Sequence, residues 1–178
     1  MIRRLDAYLH RLRRGEDGTV TTEFVIMFPL FIFLTLAGIE MGIIAVRQAT
    51  LERAVDLTVR DIRLGTGTAP QHDEIKDLIC ARSAMVPDCK TNLRLEMIRV
   101  DPRNFTAPPA VPDCTDQSEE VNPVRQFSNG LDNELMILRA CAKFKPYYPL
   151  SGIGKELNKD NAGYAAITAT TTFVQEPR

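Results

Sequence analysis

Four cysteines, two histidines and a scatter of serines and acidic residues are the side chains of this sequence with chemistry to offer. Cys80, Cys89, Cys114 and Cys141 all follow one long apolar stretch, and four cysteines allow three pairings. Oxidised, they would cross-link a small domain; reduced, they would be structural thiols. The preferred pairing joins Cys80 with Cys89 and Cys114 with Cys141, which by loop entropy would stabilise the domain by roughly 2.7 and 3.6 kcal/mol. Metal ligation fits poorly. No C-x2-C or H-x3-H pair occurs, and His10 and His72 lie on either side of the apolar stretch, so neither metal nor cofactor is expected.

Catalytic constellations are equally thin. His72, Asp73 and Glu74 are consecutive and on a helix would point in different directions, which reads as a solvated first turn. Ser83, Ser118, Ser128 and Ser151 lack a G-x-S-x-G setting. Gly152 and Gly154 lack the spacing of a phosphate-binding loop and read as a turn. No C-x-x-C redox pair is present either. The expectation is a protein that is not an enzyme and has no small-molecule substrate. A net charge of -1 gives no electrostatic case for nucleic acid.

The element that would position everything else is Phe24–Val46, 23 residues with Glu40 as the single ionisable side chain. As a helix it would run roughly 34 Å, enough to cross a hydrocarbon core of about 30 Å. Its fourteen Leu, Ile, Phe and Val residues contribute on the order of -4 to -8 kcal/mol on insertion scales, against at most about +3 for Glu40. Five arginines precede the stretch (3, 4, 11, 13 and 14) and three follow at comparable distance (47, 53 and 60), which favours a cytoplasmic N-terminus. The remaining chain would then lie outside the cytoplasm, where disulfides persist.

Beyond Val46 the helical pattern continues through Leu51, Val55, Val59 and Ile62 at core-packing spacing, until Gly65-Thr-Gly67. A second helix is expected over Asp73–Ala84. Leu93–Val100 alternates as a strand half-exposed to solvent, and Leu135–Lys145 and Gly163–Val174 read as two more strands. Asp101 to Asn133 carries five prolines and reads as loop, tethered if Cys114 is bonded to Cys141. The fold class is α+β: a long N-terminal helix, Thr19 to Leu64, packed on a small antiparallel sheet. The expected domains are a basic leader (1–18), the long helix with its span (19–64; span 24–46) and a disulfide-bonded extracytoplasmic domain (65–178).

The leader ends in Gly18, Thr19, Val20, Thr21, Thr22, Glu23, Phe24, with no secretory A-x-A-like site. This order resembles a type IV prepilin cleavage site: glycine before the cut, a carboxylate five residues after it, then an aromatic residue and the apolar helix. Glycine suits an extended scissile bond at the membrane face. The resemblance implies cleavage between Gly18 and Thr19 by a prepilin peptidase, methylation of the new amine, and neutralisation of that amine by Glu23. Taken by themselves, Gly18 and Glu23 would also fit a loop glycine and a helix-start acid.

Glu23-Phe24 ahead of a proline-containing apolar run is similar to the TadE/TadF pseudopilins of the tight-adherence pilus. The strand entering Pro146-Tyr-Tyr-Pro149 and the final Thr/Ala-rich strand resemble that family more loosely. What the resemblance implies is a pilin-like fold and a minor pseudopilin of the bacterial inner membrane. It would be single-pass with a periplasmic C-terminal domain, and would assemble with other pilins and the pilus machinery. The alternative is an uncleaved single-pass adaptor of a secretion or envelope complex.

Overall fold

A computed structural model of the chain describes residues 19–64, 70–115, 127–150 and 152–177. Its first element, α1 (Thr19–Arg63), is 45 residues long and contains Pro29. Contacts divide the chain into two units, one ending at Ile39 and one beginning at Glu40. In the first unit the helix is apolar and exposed from Val20 onward, with only Leu36 and Ala37 half-buried. It contributes the one stretch among the described residues that is long and apolar enough to cross a membrane.

The second unit is an α+β domain. After α1 come α2 (His72–Arg82), the single turn α3 (Cys89–Asn92), β1 (Leu93–Val100), β2 (Leu135–Phe144), the short α4 (Gly152–Glu156) and β3 (Ala165–Val174). α2 starts where Glu74 turns back to accept from the Gln71 N–H at 2.9 Å, and it ends as Ser83 caps the Ile79 carbonyl ahead of Pro87. The strands form one antiparallel sheet in the order β1-β2-β3, with Leu95 opposite Ala140 and Ala140 opposite Ala169.

Period-two alternation gives the sheet two different faces. Leu93, Leu95, Met97, Met136, Leu138, Ala140, Phe144, Ile167 and Phe173 join Leu51, Val55, Val59 and Ile62 of α1 and Ile75 and Ile79 of α2 in one core. The helical stripe read from the sequence is therefore the surface that buries against the sheet. Arg82 fastens α2 to α1 through Asp61 at 2.6 Å and Thr58 at 3.2 Å.

Three sequence expectations change: the stretch through Gly152 and Gly154, read as a turn, is the short helix α4. β1 is not half-exposed: Arg94 and Glu96, on its second face, are buried to within 4%. The cover is the proline-rich segment after β1, held by an Arg94–Asp113 ion pair of 2.8 Å and by the Arg139 guanidinium donating to the Pro109 carbonyl at 2.8 Å. His72 is not a solvated first-turn residue either. It is buried, its ring edge-to-face with Phe127 and its Nδ1 2.7 Å from Asp73, because the segment entering at Phe127 crosses the start of α2.

Candidate functional site

The residues singled out by their sequence setting fall into three places. Gly18 lies outside the described residues; Thr19 is the first residue of α1. Glu23 and Phe24 follow within the next helical turns, both exposed, with the Phe24 ring stacked on Phe28 at 4.8 Å. Among the described residues Glu23 makes no ion pair, so a carboxylate stands unneutralised at the head of an exposed apolar helix. In hydrocarbon such a charge would need a partner.

The cysteines lie in the other unit. Cys80 of α2 is bonded to Cys89 of α3 with Cα atoms 5.6 Å apart, and Cys114 to Cys141 of β2 with Cα atoms 5.3 Å apart. The second bond lies beside the Arg94–Asp113 pair, because Arg94 and Cys141 are register partners. Glu96 and Arg139 are the next pair along, buried and 3.3 Å apart. The outer face of the β1–β2 ladder is thus a polar seam that fastens the proline-rich segment by charge, hydrogen bond and covalent link. Among the described residues no three His, Cys, Asp or Glu side chains are grouped to hold a metal ion.

The third place is Glu40, the acid that interrupts the apolar stretch. It is only 1% exposed. One carboxylate oxygen accepts from the Tyr148 N–H at 3.1 Å and the other from the Gly154 N–H at 3.3 Å. Two backbone donors satisfy a charge that would otherwise be costly to bury. The approach requires glycine: a Cβ at residue 154 would come within 2.4 Å of the Tyr148 carbonyl oxygen and 3.0 Å of the Glu40 carboxylate. Lys159 holds the other side of this turn, its ammonium donating to the carbonyls of Gly154, Pro149 and Lys155.

Two helical turns beyond Glu40, Arg47 is 7% exposed and its guanidinium carbon lies 5.2 Å from the Phe144 ring centre and 5.4 Å from that of Tyr147. Such cation–π contacts strengthen when desolvated. Further along the same connection a Lys143–Asp160 ion pair of 3.0 Å is nearly buried, and Asp160 also accepts from the Tyr164 N–H at 2.8 Å. The sequence marks Glu40 as an oddity, but its partners are main-chain amides more than a hundred residues away, which carry no side-chain signature.

Residues 18–60 match the family model described as TadE-like protein, a family of the tight-adherence pilus system. The matched segment contains Glu23, Phe24, Glu40 and Arg47, and ends before the sheet and its disulfides begin. Comparisons with curated proteins and with solved structures returned no match.

Proposed function

We propose that this chain, TadE-like over residues 18–60, is a minor pseudopilin of a tight-adherence pilus. It is cut by a prepilin peptidase between Gly18 and Thr19 and takes part in pilus assembly or its initiation. The observation that carries this reading is the head of α1. The family match begins at Gly18, the helix begins at Thr19, and an exposed Glu23, without an ion pair among the described residues, precedes an exposed apolar run.

Cleavage would create an α-amine at Thr19, one helical turn from Glu23. In a bundle of such helices the carboxylate of one subunit and the amine of a neighbour neutralise each other, offsetting the desolvation of both charges. An exposed apolar helix also suits a protein that begins in the inner membrane and passes into a helical fibre, since both surroundings are apolar. The arginine bias places the N-terminus in the cytoplasm, and the two disulfides suit a periplasmic domain. Its partners are then the peptidase, other pilins and the assembly machinery. The role is structural, not catalytic, as befits the matched family.

Replacing Glu23 with Ala tests the amine-pairing step. The reading expects the variant to be processed like the parent yet to be depleted from sheared pili and to lower pilus yield. Normal assembly by Glu23→Ala would discard the pairing mechanism.

A further inference from the structure

We propose that the turn Tyr147–Leu150 is a lipid-contacting foot, by which the domain rests on the polar–apolar boundary of the bilayer that α1 crosses. The inference rests on placing the membrane span over Val20–Ile39, the exposed part of α1, instead of the Phe24–Val46 expected from the sequence. Those 20 residues correspond to about 30 Å of helix, one hydrocarbon thickness.

The location of the turn is set by Glu40, the residue directly after that exposed run. Its carboxylate grips the amides of Tyr148 and Gly154, so the turn is fixed at the chain position where the exposed apolar helix ends. What the turn offers to solvent is apolar and aromatic: Leu150 is 89% exposed, Tyr147 62% and Tyr148 39%. An isolated exposed leucine means little, but three such groups on one fastened turn form a patch. Tyrosines with an apolar body and a polar tip are the side chains that favour the headgroup level of a membrane.

Glu40 and the Lys159 ammonium hold the backbone at Tyr148, Pro149 and Gly154, and the Arg47 guanidinium lies against the Tyr147 ring. Exposed Lys145 and Lys155 flank it, which suits lipid phosphates better than a second apolar protein surface. A lipid surface therefore accounts for the composition of the patch and for its tie to Glu40, the residue that follows the exposed run.

The chain contains no tryptophan, so a single introduced indole is a clean reporter. Three full-length variants would be reconstituted in phosphatidylcholine–phosphatidylglycerol vesicles, with and without lipids brominated at defined depths. Leu34→Trp reports on the exposed apolar helix, Leu150→Trp on the foot, and Val111→Trp, 78% exposed in the proline-rich segment, serves as the water-exposed control. The expected result is deep quenching at 34, blue-shifted emission with quenching by shallow bromines at 150, and neither at 111.

Quenching at 34 with water-like, unquenched emission at 150 would overturn the foot while leaving the span intact. Absence of quenching at 34 would overturn the span reading and the foot with it. Blue-shifted emission at 150 that ignores bromine and grows with protein-to-lipid ratio would assign the patch to a second copy and also overturn the proposal. Leu150 is almost fully exposed, so its replacement leaves the fold in place and the readout interpretable.

Discussion

Replacing Glu40 with Ala would leave the Tyr148 and Gly154 amides without their acceptor. A hydrogen bond to a charged group contributes about 1.5–3 kcal/mol, so losing two removes roughly 3–6 kcal/mol of local stability. At about 1.4 kcal/mol per factor of ten, amide exchange across 147–154 should speed up by two to four orders of magnitude. Glu40→Gln is the informative companion. Its carbonyl can still accept from one amide, but its NH2 group faces the other donor, so an intermediate loss is expected. The assay is hydrogen exchange read by mass spectrometry on the full chain in nanodiscs, with peptides from β2 as internal reference. If exchange across 147–154 in Glu40→Ala stays within tenfold of the parent, the turn is held by its own packing and the carboxylate clamp is an incidental contact.

Two further outcomes concern the polar seam. Replacing Cys114 and Cys141 together by Ser should lower stability by about 3.6 kcal/mol, the loop entropy for their separation of 27 residues, seen as an earlier midpoint in guanidinium. Glu96→Leu alone strands a buried guanidinium and should cost about 3–5 kcal/mol, whereas Glu96→Leu with Arg139→Leu should cost clearly less; equal losses in the two variants would deny the coupling.

α1, α2 and the three strands were legible because each carries its own periodicity, whereas the single turns α3 and α4 are too short to show one. Leu51, Val55, Val59 and Ile62 announce a core-facing helix stripe, and the alternation of Leu93, Leu95 and Met97 announces a strand whose ends agree with β1. What alternation cannot say is what covers the other face. Arg94 and Glu96 look like solvent residues until a segment without period, rich in proline, is brought over them by Asp113 and Pro109. Hydropathy likewise runs on to Val46, since Ile43, Ile44 and Val46 are as apolar as anything before them. In the fold Ile44 packs against the domain core and Glu40 already accepts from the Tyr148 and Gly154 amides. The distinction between exposed and domain-packed apolar residues depends on contacts with Tyr148 and Gly154, which local sequence does not encode. His72 shows the same effect, since Phe127 is distant in sequence and adjacent in space.

Intact mass and N-terminal sequencing of the membrane-extracted protein, made with and without a co-expressed prepilin peptidase, test the pseudopilin account most directly. The account predicts a mature chain that begins at Thr19 only when the peptidase is active. An N-terminus left intact by a peptidase that cuts a control prepilin in the same cells would contradict it, and the chain would then be an uncleaved single-pass adaptor.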